Sequence, residues 1–341
     1  MNNNLQIGNL GETKLIDIIE KLIFEKTGKV LLRDDSFFAD ISHRNNKAKL
    51  VINTDMLVST SDVPNFMNFF QIGRKSIIMN ISDIVVKGVK PTSIIISLGL
   101  PKNLKTQEFT DLLNGIIECS LEYEMDYIGG DINESQELII NPTVFGFKNP
   151  LAIIYRRGVQ VGDILVANNK FGLTGVGFDI LINQKGNPKQ YMEYQNSIKS
   201  VLEPEISGKE AQILSDRALA TASIDSSDGL YKSLEDLIIS NPNLGFEIDF
   251  NSNLIANEAV KYSKEFNKSI EDLVLNGGEE FIHIFTINPK NIDNAQKVIE
   301  SNNGNIFEIG RAISEKGIFI SKEGVRKQIK NYGFEHFREK A

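Results

Sequence analysis

Residues 222–230 read ASIDSSDGL, and this stretch joins a short predicted strand to a predicted helix through a loop with two aspartates. The strand ends at Asp225, and Asp228 precedes the helix, which begins at Gly229. Asp caps helices and starts turns, so Asp228 could simply cap this helix. Carboxylates at a strand end are also well placed to bind a ligand, because the sheet fixes their backbone. The stretch therefore predicts a strand–loop–helix unit whose aspartates are either structural or ligand-binding.

Five other segments also place acidic residues where predicted strands or helices meet short loops. They are Asp34-Asp35, Asn53-Thr54-Asp55, Ser82-Asp83, Gly129-Gly130-Asp131 and Gly277-Gly278-Glu279-Glu280. One acidic loop is ordinary, but six suggest a cage of carboxylates. A chain of net charge −8 tolerates such a cage only if cations fill it, and Mg²⁺ takes oxygen ligands and usually arrives with phosphates. The sequence therefore predicts Mg²⁺-nucleotide chemistry, with solvated loops and ordinary turns as the structural alternative.

The composition is that of an ordinary globular protein. The length of 341 residues predicts about two domains. The 37 basic residues are outnumbered by 45 acidic ones, which argues against nucleic-acid binding through a broad basic surface. The first residues lack the pattern of a signal peptide, and no apolar run approaches the ~20 residues needed to cross a bilayer. We expect a cytoplasmic protein with no membrane or nucleic-acid partner, in which the single Cys119 is a core thiol.

Strands and helices are mixed in both halves of the sequence without strict alternation. In the first half, apolar residues at helical spacing predict helices at 11–27, 72–88 and 105–125. Apolar runs predict strands at 47–53, 93–100, 125–128 and 138–147, the last one broken by Pro142. We expect two α+β domains with a boundary near residues 148–155.

No residue of the chain is recognisable as a covalent nucleophile. The sequence contains no G-x-x-x-x-G-K-[ST] motif and no protein-kinase signature. His43, His283 and His336 are scattered without metal-ligand spacing. His283 alternates with Phe281 and Phe285, which favours a structural role in a strand. Phosphoryl transfer fits such a sequence, because it needs charge neutralisation and in-line positioning more than covalent chemistry by the protein.

Two further features could bind phosphate. Gly172, Gly175 and Gly177 open a predicted helix whose free N–H groups could hold an anion, although close helix packing explains these glycines equally well. Arg156, near the expected domain boundary, has a guanidinium that could bind phosphate oxygens in a bidentate manner. An isolated surface arginine is the alternative.

Taken in order, the acidic segments resemble those of the thiamine-monophosphate kinases, in the superfamily of aminoimidazole ribonucleotide synthetase. The resemblance covers nearly the whole chain and rests on the order and spacing of short motifs. These are Gly11-Glu12, Asp34-Asp35, Thr54-Asp55-Met56-Leu57-Val58, Asn80-Ile81-Ser82-Asp83, Gly129-Gly130-Asp131, Arg156 with Gly158, Ile224-Asp225-Ser226-Ser227-Asp228-Gly229-Leu230, Gly277-Gly278-Glu279 and Gly333-Phe334-Glu335-His336-Phe337.

The resemblance implies an α+β, two-domain aminoimidazole ribonucleotide synthetase-like fold. The N-terminal domain, residues 1–149, would be a mixed sheet with helices on one face that binds ATP and Mg²⁺ and forms a homodimer. The C-terminal domain, residues 150–341, would be an α/β sandwich that completes the active site. The implied reaction is ATP-dependent phosphorylation of thiamine monophosphate to thiamine diphosphate. An oxygen of the acceptor phosphate would attack the γ-phosphorus in line, without a phosphoenzyme.

The family's binding positions map onto individual residues of this sequence. Several Mg²⁺ ions would be held by Asp35, Thr54, Asp55, Asp83, Asp131, Asp225 and Asp228. ATP would contact Gly130, Arg156 and Ser227, and the phosphorylated substrate would contact Glu279 and Phe334.

The acceptor side departs from the family's pattern. Residues 59–63 read STSDV, and Asp62 stands where the family has a substrate-contacting His. The charge of Asp62 would repel a phosphorylated substrate. Residues 277–281 read GGEEF where the family has Gly-Gly-Glu-Asp-Tyr. Two alternatives therefore remain. The first is a related ATP-dependent enzyme that uses another acceptor, and the second is a catalytically silent homologue that binds a nucleotide or metabolite.

Overall fold

The computed structural model describes residues 12–28, 30, 33–40, 48–184, 186–330 and 333–334. Gly11, His43 and residues 335–337, which carry part of the sequence argument, lie outside this described part. Among the described residues, the structure has no helix that is both long and apolar enough to cross a membrane.

The first part of the chain forms a mixed sheet. Its strands are β1 (Phe37–Asp40), β2 (Lys49–Thr54), β3 (Leu57–Val58), β4 (Pro91–Leu100), β5 (Asp126–Glu134) and β6 (Ile139–Lys148), in the order β1-β2-β6-β4-β5 with β3 beside β6. β4 and β5 run parallel, whereas the other pairs are antiparallel. The sheet therefore has the mixed character that the sequence predicts.

Two long helices cover one face of this sheet. The helices of this part are α1 (Glu12–Thr27), α2 (Ser59–Asp62), α3 (Phe69–Val85) and α4 (Thr106–Glu122). α3 begins with a capping box between Asn68 and Gln71. α3 and α4 approach so closely that a Cβ on Gly115 would lie 2.0 Å from the carbonyl oxygen of Phe70. Glycine is therefore required where the two helices cross.

The second part of the chain is a seven-stranded sheet between two layers of helices. Its strands are β7 (Ile164–Ala167), β8 (Ala220–Ser226), β9 (Gly245–Asp249), β10 (Ile282–Ile287), β11 (Phe307–Ile313), β12 (Gly317–Lys322) and β13 (Val325–Ile329), in the order β13-β12-β9-β11-β7-β10-β8. Its helices are α5 (Leu173–Phe178), α6 (Gln195–Leu202), α7 (Lys209–Asp216), α8 (Leu230–Ser240), α9 (Asn257–Glu265), α10 (Ile270–Leu275) and α11 (Ile292–Ser301). Leu165 and Val166, neighbours on β7, pack into two different apolar clusters, which confirms the predicted α/β sandwich.

The structure corrects two predicted strand boundaries. β5 does not end at Ile128 but continues through Gly129, Gly130 and Asp131, which pair with β4. A Cβ on Gly130 would lie 1.8 Å from the carbonyl oxygen of Ile96, so Gly130 allows close contact between the two strands and is not part of a loop. Pro142 does not break β6, because it lies one residue past the last β2–β6 pair and no hydrogen bond of that ladder needs its missing N–H.

The turn after α3 joins the two sheets. Gly88 has φ +74 and ends the helix region, as the sequence predicts, and a Cβ there would lie 2.1 Å from Ser215 Cβ. Ser82, in the last turn of α3, donates a hydrogen bond to Asp225 on β8 at 2.8 Å. Lys87 donates one to the carbonyl oxygen of Ser223 at 2.9 Å. The end of α3 is therefore held against the end of β8.

Candidate functional site

Three aspartates from distant parts of the sequence meet where α3 approaches β8. Asp35 lies in the bend before β1, Asp83 in the last turn of α3, and Asp225 near the end of β8. Each offers a carboxylate oxygen, and the three oxygens lie within 4.8 Å of one another. Asp35 and Asp225 are buried residues, whereas Asp83 is partly exposed. This arrangement brings together three of the predicted metal-binding residues.

Two asparagines add Asp55 to this group. The side-chain amide of Asn53 donates to Asp83 at 2.6 Å and to Asp55 at 3.1 Å. Asn80, which is fully buried one turn before Asp83, accepts from the backbone N–H of Asp55 at 2.8 Å. We call Asp35, Asp55, Asp83 and Asp225 the acidic cluster. Asn80 is the residue that fixes the backbone of Asp55 against α3.

Burial and mutual repulsion oppose ionisation in the middle of the acidic cluster. Burial of the carboxyl group, followed by the charges of Asp225, Asp55 and Asp35, raises the pKa of Asp83 well above its usual range. Burial and then the charge of Asp35 raise the pKa of Asp225 to about 7. A cation bound among these carboxylates would remove this repulsion. The donor set consists of carboxylate oxygens, which hard divalent cations prefer, so the residues present fit a metal ion.

Asp35 differs from the other members because two basic side chains contact it. Arg156 Nε donates to its Oδ1 at 2.7 Å, and the Lys87 ammonium contacts its Oδ2. Burial alone would raise the pKa of Asp35, but Arg156 and Lys87 outweigh burial and hold it below the usual value. Arg156 was predicted to bind the nucleotide. In the structure its guanidinium instead forms an ion pair with Asp35, a member of the acidic cluster. The sequence patterns did not identify Lys87 as part of this site. The signal that could have identified it is a single lysine within the apolar run from Ile84 to Val89.

Two of the remaining predicted metal ligands, Thr54 and Asp131, lie far from each other in the first sheet. Across the first sheet, Thr54 pairs with Thr143, Thr143 with Ile95, and Ile95 with Gly129. Three strand spacings, roughly 14 Å, therefore separate Thr54 from the β5 strand that carries Asp131. Asp131 is exposed, and the predicted role of both residues stays a prediction.

The loop between β8 and α8 holds the other predicted positions. Gly229, with φ +97, is the N-cap of α8, so the cap is not Asp228. The carbonyl oxygen of Asp228 accepts from the N–H of Phe334 at 3.0 Å. Ser227 is exposed, and its carbonyl oxygen accepts from the N–H of Glu279 at 2.5 Å. Ser227, Asp228, Glu279 and Phe334 therefore form one connected surface beside Asp225, as a shared substrate site would require.

The segment that follows Gly278 connects the two parts of the molecule. Glu279 and Phe281 have φ +56 and +49, which are strained values for residues other than glycine. Glu279 Oε2 lies 2.6 Å from the fully buried ammonium of Lys75 in α3. Phe281 packs into the apolar cluster of the first sheet. The strain is therefore maintained by contacts with the N-terminal part of the chain.

Glu280, the second acidic side chain of this segment, binds the start of α5. Its Oε1 accepts from the N–H of Gly172 at 2.7 Å and of Thr174 at 3.4 Å. A Cβ on Gly175 would lie 2.2 Å from the carbonyl oxygen of Leu273. Close packing thus explains the glycines at this helix start, and a protein carboxylate occupies the N–H groups that could have held a phosphate.

Asp62, predicted near the acceptor, is engaged within its own loop. Its Oδ2 accepts from the N–H of Val58 at 2.6 Å, and its carbonyl oxygen accepts from Lys75. The side chain therefore orders α2, and its effect on an acceptor phosphate stays a prediction.

The predicted structural roles of Cys119 and His283 are confirmed. Cys119 is fully buried, and burial lowers the pKa of the core residue His283 to about 3.

Glu280 predicts an unusual pH dependence of stability. Burial raises its pKa to about 8, and the N–H groups of Gly172 and Thr174 offset only part of this effect. A carboxyl group whose pKa is higher in the folded state favours folding below its unfolded pKa, and this contribution is lost as pH rises through the folded value. Relative to Glu280→Gln, the wild-type free energy of unfolding should fall by about 1 kcal/mol per pH unit between pH 5 and 8. Urea unfolding at several pH values measures this, and parallel curves for the two proteins would contradict it.

The fold and the acidic cluster together define the class of the protein. The sequence model described as "AIR synthase related protein, N-terminal domain" matches residues 33–147, which span the first sheet and three of the four clustered aspartates. A thiamine-monophosphate kinase from Methanocaldococcus jannaschii is 31% identical over 327 residues, covering 92% of this chain and 97% of its own. The chain belongs to the thiamine-monophosphate kinase family.

Two further comparisons agree with this assignment. A thiamine-monophosphate kinase from Nitrosopumilus maritimus is 29% identical over 335 residues, which is 97% of this chain and 100% of that protein. The solved structure of AaThiL complexed with AMPPCP and TMP superposes with a TM-score of 0.83 at 24% identity, over 98% of this chain and 99% of that one. The predicted two-domain fold and the resemblance are thereby confirmed.

Proposed function

We propose that this chain transfers the γ-phosphate of ATP to thiamine monophosphate, giving thiamine diphosphate and ADP. The observation that carries the proposal is the convergence of Asp35, Asp83 and Asp225 within 4.8 Å, in a chain of the thiamine-monophosphate kinase family. An oxygen of the acceptor phosphate forms a bond to the γ-phosphorus, and the bond from that phosphorus to the bridging oxygen of ADP breaks. The protein's part is to position the phosphates and to hold compensating charge.

We propose Mg²⁺ as the metal, because an all-oxygen site that works with nucleotide phosphates suits a small hard cation. Bound ions would neutralise phosphate charge as it redistributes during transfer. Asp55, Asp83 and Asp225 are the proposed ligands in the acidic cluster. Asp35 was also predicted as a ligand, but Arg156 and Lys87 contact its two carboxylate oxygens, and its role as a ligand stays a prediction. Thr54, Asp131 and Asp228 are proposed as further ligands.

The substrates are proposed to bind between the acidic cluster and the segment after Gly278. Support for the acceptor position is that Glu279 is fixed by Lys75 and lies next to Ser227. Phe334 lies on the same surface, where its exposed ring could pack against an aromatic substrate. Gly130, Arg156 and Ser227 are proposed to contact ATP. Arg156 could contact a phosphate only while sharing its guanidinium with Asp35.

The proposal is tested by incubating the protein with Mg²⁺, ATP and thiamine monophosphate and quantifying the products. We expect ADP and thiamine diphosphate in equal amounts, with none formed in EDTA. ADP formation with another phosphorylated acceptor, and not with thiamine monophosphate, would establish the related-enzyme alternative. A thermal shift with Mg-ATP and no turnover on any acceptor would establish the catalytically silent one.

We further propose a homodimer formed through the sheet of the N-terminal domain. The sheet leaves large apolar side chains 42–62% exposed, namely Ile95 on β4, Tyr127, Ile128 and Ile132 on β5, and Phe147 on β6. A second copy of the chain would bury this apolar surface. It could also allow a metal ion to bind both Thr54 and Asp131, which are too far apart within one chain. A light-scattering mass equal to one chain of 38.1 kDa would contradict the dimer.

The cytoplasm is the proposed location, and nucleic acid is not among the proposed partners. The small, soluble substrates support the location, and the net charge of −8 argues against a nucleic-acid partner. The division into residues 1–149 and 150–341 also stays a proposal, supported by the end of β6 at Lys148.

A further inference from the structure

Lys87 is a buried lysine that is not among the predicted or proposed site residues. Its side chain is 0% exposed in the turn after α3. Its ammonium lies 2.9 Å from Asp34 Oδ1, against Asp35 Oδ2, and 2.9 Å from the carbonyl oxygen of Ser223. The contact with Ser223 is a hydrogen bond, whereas those with Asp34 and Asp35 are ion pairs.

The positive charges around the acidic cluster are confined to one side. Arg156 binds Asp35 Oδ1, and Lys87 lies against Oδ2, so both oxygens of Asp35 face a cation. In the described part of the chain, no salt bridge reaches Asp83 or Asp225. The demand for additional positive charge is therefore concentrated at Asp83 and Asp225.

Stability alone does not explain a lysine at this position. An apolar side chain of similar volume usually stabilises a fold at least as well as a buried ion pair does. Lys87 instead has a geometry that binds two neighbouring carboxylates at once, which is also how a divalent ion would bind them. The positive charge of Lys87 belongs to the protein itself, so it is present whether or not metal ions are available.

We propose that Lys87 is a built-in cation of this site, whose ammonium takes the place of a divalent ion at Asp34 and Asp35. The divalent ions are then left to Asp83, Asp225 and their neighbour Asp55. This inference rests on the proposed function in so far as the acidic cluster binds divalent ions. Lys87 is a positioning residue, since it acts through the carboxylates and not on the substrates.

The test compares Mn²⁺ binding by the wild-type protein and Lys87→Met, in the absence of nucleotide. Methionine keeps an unbranched side chain and removes the charge. We expect Lys87→Met to unfold at a lower temperature than wild type in EDTA and to recover most of this loss in Mn²⁺. We also expect it to bind one additional Mn²⁺ per chain, measured from the electron paramagnetic resonance signal of free Mn²⁺.

Lys75→Met is the matched control, because Lys75 is also 0% exposed but its acidic partner, Glu279, lies outside the acidic cluster. It should lose stability equally in EDTA and in Mn²⁺ and bind no additional ion. The double variant Lys87→Met/Asp34→Asn removes one charge of each sign, so it should bind as many ions as wild type.

The possible outcomes separate this inference from the proposed function. Equal Mn²⁺ binding and equal stabilisation of wild type and Lys87→Met would overturn the inference while leaving a metal-binding kinase intact. A wild-type protein that binds no Mn²⁺ would overturn the metal-dependent function together with the inference. The expected Mn²⁺ responses in a protein without kinase activity would overturn only the function. Single and double variants that both stay unfolded with Mn²⁺ would assign Lys87 a structural role and overturn the inference.

Discussion

Asp83→Asn should reduce turnover by about 10³-fold, because charge stabilisation by a bound metal contributes several kcal/mol to phosphoryl transfer. Asp83 lies at the centre of the acidic cluster, within 4.8 Å of Asp35 and Asp225. Asparagine keeps the size of the side chain and can still accept the hydrogen bond that Asn53 donates. Steady-state kinetics with saturating Mg-ATP measure the loss.

The same substitution should increase the stability of the metal-free protein at pH 8. Burial and neighbouring carboxylates raise the pKa of Asp83 in the folded state. A group with a raised folded pKa contributes to stability only at low pH, and at pH 8 ionisation favours the unfolded chain. The asparagine side chain of the variant does not ionise, so the midpoint of urea unfolding in EDTA should move to higher urea. Opposite effects on activity and stability are the expected signature of a site that a metal must complete.

Asp216→Asn provides the control for this prediction. Asp216 is exposed, pairs with Lys148 at 2.6 Å, and is not a member of the acidic cluster. Exposed ion pairs contribute about 0–1 kcal/mol, so both turnover and stability should stay close to wild type. If Asp83→Asn were destabilised and fully active, the acidic cluster would be a structural network and the proposed metal site would be wrong.

The order of the acidic segments allowed much of the fold and part of the site to be predicted. Asp83 and Asp225 are 142 positions apart by their numbers, yet the resemblance places both in one metal site, and the structure brings them together. The spacing of apolar residues was sufficient to predict the long helices, since α3 and α4 carry regular apolar faces. These features depend on short-range periodicity or on the resemblance.

Features that depend on long-range contacts could not be predicted in this way. Gly129-Gly130-Asp131 has the composition of a turn, and only the pairing of β5 with β4 shows that it is a strand. Arg156 was predicted to bind a phosphate. Its actual partner could not be predicted, because the residues next to an arginine in the sequence do not specify which side chain it contacts. Its contact with Asp35 joins residues 121 positions apart. The contacts of Lys87 could not be predicted for the same reason, since the three oxygens that its ammonium contacts come from two distant segments.

Lys75→Met is expected to destabilise the protein by about 3 kcal/mol, the lower end of the range for breaking a buried ion pair. Lys75 has no exposed side-chain surface, whereas Glu279 keeps 24% of its side chain exposed, so the unpaired carboxylate is partly solvated. The ammonium also holds the carbonyl oxygen of Asp62. One substitution therefore releases two loops that flank the proposed acceptor position. Lys148→Met, which breaks an ion pair with an exposed aspartate, should lose less than about 1 kcal/mol.

The kinetic effect of Lys75→Met should fall on the acceptor. Glu279 has φ +56, and without its partner in α3 the strained segment after Gly278 is free to relax. We expect the KM for thiamine monophosphate to rise about tenfold, a loss of about 1.4 kcal/mol, with little change in the KM for ATP. Adding Glu279→Gln should restore part of the stability, because no unpaired charge remains, but it should not restore the KM. Equal increases in both KM values would show that Lys75 supports the whole domain interface and does not position Glu279.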